Sequence, residues 1–203
     1  MKKYLLTSSL LVLLLSSCGS SKFDAEYYKG KLTIDTSSLV SSSGSNKIIN
    51  ASGEQEVSFN STYYTNGFYY KVTSGDAVSE VTTLLVDGKV LTYDHISSKT
   101  SESEATEGMK LEPSFTELLD DLAIYIDLCF TQEGVLTAEE NTLEGSFEKK
   151  ESTSETYVNS LKLSFEANNI KKVNYSVSKG DITIVANSEY TYGTKVAGNI
   201  SQA

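Results

Sequence analysis

A chain of 203 residues with 27 carboxylates against 17 basic groups, net charge −10, offers no clustered basic surface and no electrostatic footing for nucleic acid. All of the basic residues are lysine, which excludes an arginine-clamped phosphate or carboxylate site. One histidine, His95, and two cysteines, Cys18 and Cys129, exclude a zinc centre built from the usual His and Cys sets.

The chain opens with Lys2 and Lys3, followed by an apolar run from Tyr4 to Leu15 that is broken only by Thr7, Ser8 and Ser9. Charge followed by a short apolar run is the order of a secretory signal. The run is too short to span a bilayer as a helix, which takes roughly 20 residues. Leu15-Ser16-Ser17-Cys18 resembles a bacterial lipobox: an apolar residue, two small ones, then cysteine. The resemblance implies cleavage after residue 17, a diacylglycerol on the Cys18 sulfur, and palmitate-type chains that hold the protein on the extracytoplasmic face of a bacterial membrane. The alternative is an ordinary signal peptide that contains a cysteine. Each buried methylene contributes about 0.8 kcal/mol, so two or three chains on one cysteine hold where a single chain would not.

Removing residues 1–17 takes Lys2 and Lys3 but no acidic residue, so the charge moves from −10 to −12 over the remaining 186 residues. Such a chain is repelled by anionic head groups, and the acyl anchor must do the holding. The length suits one domain with a real core. Residues 18–26 form the lipidated N-terminus and tether, 27–196 a single β-rich domain, and 197–203 a C-terminal tail. With Cys18 acylated, Cys129 has no disulfide partner and reads as a small core residue.

In chain order, residues 36–47 (TSSLVSSSGSNK) read as a loop or flexible bridge because of their serine and glycine. Val57, Phe59, Ser61 and Tyr63 then alternate with polar residues, a strand signal. Phe68–Thr73 and Ser79–Val86 are rich in Tyr, Val and Thr. Asp87-Gly88, between two such runs, predicts a type I′ hairpin, since both central residues need positive φ. Residues 97–110 (SSKTSESEATEGMK) are polar and without period, and read as a solvated connector.

A helix follows in PSFTELLDDLAIYIDLCF, residues 113–130. Ser114 and Glu117 have capping-box spacing after Pro113. Phe115, Leu118, Leu119, Leu122, Ile126, Cys129 and Phe130 form an apolar stripe, which Ile124, Tyr125 and Leu128 widen. Beyond it, Leu161, Leu163 and Phe165, then Val173, Tyr175 and Val177, then Ile182, Ile184 and Ala186 give three more alternating strands. Ala167-Asn168-Asn169 and Lys179-Gly180-Asp181 turn the chain between them. One apolar and one polar face per strand mean an antiparallel sheet covered on one side. The expected fold is therefore α+β: a curved antiparallel sheet, a half-barrel, packed around one long mid-chain helix.

Catalytic patterns are weak. His95 follows Asp94, but neighbours on a strand point to opposite faces, so His95 reads as an exposed strand-end residue. Two S-x-x-K matches, Ser146–Lys149 and Ser176–Lys179, lie in strand-like segments of a chain rich in both residues. Asp120 and Asp121 diverge around the helix. The 13 tyrosines could stack on sugars or line an apolar cavity, but tyrosine is also a good strand former.

Val86-Asp87-Gly88-Lys89 leading to Leu91 and Tyr93-Asp94, the helix after it, and the terminal meander ending in Tyr190-Thr191-Tyr192-Gly193 resemble bacterial lipoproteins and carriers of the LolA and LppX type. The resemblance covers residues 56–193 by order of elements. It implies a half-barrel closed over by helices, with an apolar cavity for acyl chains. Leu85, Leu91, Leu118, Leu122 and Ile126 are then candidate walls; the alternative for each is core packing. The expectation is a non-enzymatic lipoprotein that needs no cofactor or metal. Its partners would be the membrane, through acylated Cys18, and a lipid or other apolar ligand, not nucleic acid. The alternatives are a surface interaction protein with a filled core, and a hydrolase whose site one sequence does not display.

Overall fold

The computed structural model describes residues 22–150 and 153–200. The expected leader, its cleavage site and Cys18 lie outside the described residues. Among the described residues, eleven strands follow one another in a single antiparallel sheet. The first six are β1 (Leu39–Asn50), β2 (Gly53–Tyr64), β3 (Gly67–Ser74), β4 (Ala77–Val86), β5 (Lys89–Asp94) and β6 (Lys99–Glu104). The last five are β7 (Gly134–Glu139), β8 (Thr142–Phe147), β9 (Thr153–Glu166), β10 (Asn169–Gly180) and β11 (Ile182–Gly193). The described residues also form the helices α1 (Ala25–Lys29) and α2 (Thr116–Thr131).

The spatial order is β6-β5-β4-β3-β2-β1-β11-β10-β9-β8-β7. Each half is a meander of hairpins, and the first and last strands pair from Leu39↔Gly193 to Ile49↔Thr183. The sheet is open, because β6 and β7 are its two edges. Register shifts between β9 and β10, at Ile170/Lys172, Ser176/Val177 and Ser178/Gly180, are the kind of irregularity that bends strands and raises their twist.

Two segments expected to be loops are strands. The serine-rich run 36–47 supplies most of β1, the strand at the centre of the sheet. Its small side chains are what that position requires. Ser42 and Ser61 are buried and share a hydrogen bond of 2.6 Å across β1 and β2, and Ser41 meets Thr62 at 3.1 Å. At Gly44 the β11 backbone comes so close that a Cβ would stand 2.0 Å from the Asn187 carbonyl oxygen. Within 97–110, Lys99–Glu104 forms the edge strand β6. All six of its residues are exposed, so no hydrophobic period marks it. Its Lys and Glu side chains guard the edge against pairing with another chain.

The expected hairpin at Asp87-Gly88 forms. Val86 pairs with Lys89, and the two loop residues have φ of 52° and 77°.

The helix differs from expectation in length and reach. It has 16 residues, and Phe115 rather than Ser114 occupies its N-cap, with no side-chain cap bond. The Ser114 hydroxyl meets Thr116 Oγ1 at 3.3 Å instead. Phe115 is fixed by packing edge-on against Tyr63 and Tyr190. A helix of this size is about 24 Å long. Eleven strands about 4.8 Å apart span close to 50 Å. No single helix of that length covers the sheet, and α2 covers only the half containing β8–β11 and β1. Leu122, Ile126 and Cys129 are 0–1 % exposed there, against Val40, Leu143, Val158, Leu161, Leu163, Val173 and Tyr190.

The small helix α1 plugs one end of this core. Asp24 caps it through the Tyr27 N–H at 2.9 Å, and Lys29 ties it to Asp127 of α2 at 2.9 Å. Tyr28 is fully buried, stacks on Phe165 and donates its hydroxyl to the Glu139 carbonyl. At the other end of the chain, Gly198 is buried against Tyr64 and Leu84. It donates its N–H to Asn66 Oδ1 at 2.8 Å, so the start of the expected tail packs on the sheet.

Two outcomes follow from this core. Gly44→Ala forces two backbones apart at the sheet centre and lowers stability by about 1–3 kcal/mol, read as a reduced urea midpoint by circular dichroism. Burial pushes the Cys129 thiol up to about 12. A thiol-specific chromogenic reagent at pH 8 therefore leaves Cys129 unmodified in the native protein and labels it fully in urea.

Candidate apolar groove on the helix-bearing face

The mismatch between helix and sheet leaves apolar side chains uncovered beside α2. Strand register assigns the faces. Val177 of β10 pairs with Ile184 of β11, which pairs with Ile48 of β1, so all three lie on the helix-bearing face. Ile182 follows the same alternation along β11. These residues, with Asp121, Ile124 and Tyr125 of α2, Thr156 of β9 and Lys179 of β10, border an open groove of about 350 Å³. Val177 forms its buried floor, while Ile124 and Ile182 are 52 % and 46 % exposed on its rim.

The groove has two charged residues on its border, Asp121 and Lys179. The Tyr125 and Tyr175 rings meet 5.1 Å apart. Burial pushes the Tyr125 hydroxyl up to about 12, and the negative charge of Asp121 adds to the effect. Tyr175 is raised by burial and again by Asp121. Both hydroxyls are therefore neutral at physiological pH. A second concavity of about 360 Å³ lies on the same face, between Tyr63, Phe68 and Tyr70 of the sheet and Glu112 and Pro113 of the segment leading into α2.

The side chains expected to wall a cavity are elsewhere. Leu122 and Ile126 are fully buried in the packed core, and Leu118 packs against it. Leu85 pairs with Val90 and Leu91 with Leu84, so Leu85 and Leu91 are on opposite faces and cannot line one cavity. None of the five borders either concavity. The groove residues carried two sequence signals. Ile124 is apolar but off the main stripe of α2, and Ile182 and Ile184 continue an apolar alternation to the very start of β11.

His95 is half-buried rather than exposed. Its Nε2 lies 2.9 Å from Thr82 Oγ1, and the rings of Tyr69 and Tyr93 pack edge-on to its imidazole. Nearby, Glu80 accepts from the Tyr69 hydroxyl at 3.1 Å and pairs with Lys71 at 2.8 Å. That pairing holds the Glu80 carboxyl below its ordinary range. Thr82 is 0 % exposed, so its hydroxyl is buried beneath the half-buried His95. The cluster binds β3, β4 and β5 together on the face opposite α2. Among the described residues no group of three His, Cys, Asp or Glu side chains could hold a metal ion. No described helix is long and apolar enough to cross a membrane.

No family model and no curated protein matches this chain. Among solved structures it is similar to a DUF1329 family protein from Desulfovibrio piger, at 13 % identity over 83 % of this chain and 90 % of that one. The TM-score is 0.26, and a likeness at that level carries no argument about fold or function.

Proposed function

We propose that the chain is a bacterial lipoprotein held on the extracytoplasmic face of a membrane through acylated Cys18, and that its domain binds a lipid chain or similar apolar ligand without catalysing a reaction. The observation that supports ligand binding is the groove bordered by Ile124, Val177, Ile182 and Ile184, whose volume is of small-molecule size. Exposed apolar surface costs about 25 cal/mol per Å², and an acyl chain laid on these side chains removes that cost. No bond is made or broken; the mechanism is burial alone.

The geometry suits an anchored carrier. The N-terminal helix α1 sits at the end of the sheet where the Glu140-Asn141 turn lies, since Tyr27 and Lys31 both donate to the Glu140 carbonyl. The groove lies at the opposite end, beside Lys179 and Ile182. Strand β10 alone runs 12 residues, about 40 Å, between the two ends. The groove therefore lies at the end of the sheet remote from α1, the first described element of the chain.

A second reading, a surface interaction protein, is favoured by Ile48, which is 42 % exposed and extends the apolar strip beyond the groove through its pairing with Ile184. On that reading the strip seats a protein rather than a lipid.

Ile124→Glu and Ile182→Glu separate the two. Both positions are half-exposed, so stability stays within about 0.5 kcal/mol of the parent. Binding of an environment-sensitive fatty-acyl probe falls at least tenfold in each. A parent protein that does not bind the probe sinks the lipid reading. For the anchor, Cys18→Ala moves the protein from the membrane pellet to the soluble fraction on cell fractionation, and continued sedimentation with membranes would refute acylation at this residue.

A further inference from the structure

We infer that the groove takes a single-chain amphiphile with a zwitterionic head, whose cationic group meets Asp121 and whose anionic group meets Lys179. The inference deepens the lipid-binding reading and rests on it.

Volume sets the first limit. About 350 Å³ is near the lower bound of small-molecule sites, roughly 300 Å³, and suits one chain rather than a pair. Val177, Ile124, Ile182 and Ile184 give the groove an aliphatic stretch that suits an alkyl tail, and its charged residues, Asp121 and Lys179, are on the border. Charge sets the second limit. Asp121 comes from α2 and Lys179 from the end of β10, so two separate elements bring opposite charges to one groove.

Elsewhere on the domain some lysines pair with carboxylates, while others, such as Lys31 and Lys195, donate to backbone carbonyls. Lys47 pairs with Glu54, Lys71 with Glu80, Lys162 with Glu144 and Lys171 with Glu166. Among the described residues, Asp121 and Lys179 make no such pair, with each other or with any other side chain. The field of Asp121 also reaches the groove wall, where it adds to burial in holding the Tyr125 and Tyr175 hydroxyls protonated.

An anionic head would gain Lys179 but face Asp121. A cationic head would gain Asp121 but face Lys179. A neutral head would leave both charges partly desolvated and unmatched. A head carrying both signs matches both, and the same pair of residues then disfavours each of the singly charged alternatives. Exposed ion pairs are weak, so the expected discrimination is about fivefold for each charge.

The test is isothermal titration of the full chain carrying Cys18→Ala. Four amphiphiles of matched chain length are used below their critical micelle concentrations: a lysophosphatidylethanolamine, a fatty acid, an alkyltrimethylammonium and a monoacylglycerol. The zwitterion binds about fivefold tighter than each of the others. Asp121→Asn removes its advantage over the fatty acid, and Lys179→Gln removes its advantage over the alkyltrimethylammonium. Urea midpoints stay at the parent value, because both side chains are exposed. Equal affinity for all four, or a preference that neither substitution alters, overturns the zwitterion assignment and leaves the lipid-binding reading standing. Failure of all four to bind overturns both.

Discussion

The pairing of the first strand with the last is the constraint on which the rest of this structure depends. Each half of the chain is a meander, and a meander forms from local hairpins. What joins them is the β1–β11 ladder, between residues up to about 150 positions apart in sequence. That ladder turns two narrow sheets into one wide one with a continuous inner face. It demands narrow side chains, because Gly44 lies against the Asn187 carbonyl and the β1 serines pair with residues of β2. Bulkier side chains would suit the strand conformation better and fit the seam worse.

A wide sheet and a short helix then decide where the surface is apolar. The inner face is long enough to need two covers, and the chain supplies α2 over one half and the segment before it over part of the other. In that segment Met109, Leu111, Pro113 and Phe115 are half-buried, while Lys110, Glu112 and Ser114 are exposed. It crosses from the β6 edge towards α2 in an extended, alternating form. Neither cover reaches the end of the sheet near the Gly180-Asp181 turn. The uncovered isoleucines there are the geometric remainder of a 16-residue helix on an 11-stranded sheet.

What was legible in the sequence was local. The Asp87-Gly88 turn shows itself because two consecutive positive φ values need those residue types. The alternation in 57–63, 161–165 and 173–177 shows itself because one face of each strand is buried. β1 did not, since its serines and glycine have a loop's composition and its reason for them is the closeness of β11, a non-local fact. β6 did not, because a strand with both faces in water has no period to display. The capping box at Ser114 failed for a tertiary reason: Phe115 packs between Tyr63 and Tyr190, and that packing sets where the helix begins.

The candidate site follows the same division. The stripe of α2 correctly marked the buried side, and for that reason it could not mark a wall: Leu122 and Ile126 are in the core because they are on the stripe. Of the α2 residues that border the groove, the exposed aliphatic one is Ile124, which breaks the pattern. An apolar side chain off the stripe costs free energy in water unless something covers it. On α2 the sheet does not, since Ile124 is 52 % exposed, and the neighbouring Asp121 keeps that side of the helix wet. The helix therefore presents two different sides. The stripe holds the fold together, and Ile124 beside it, with the strand isoleucines of the groove, leaves the apolar surface on which the proposed ligand binding rests.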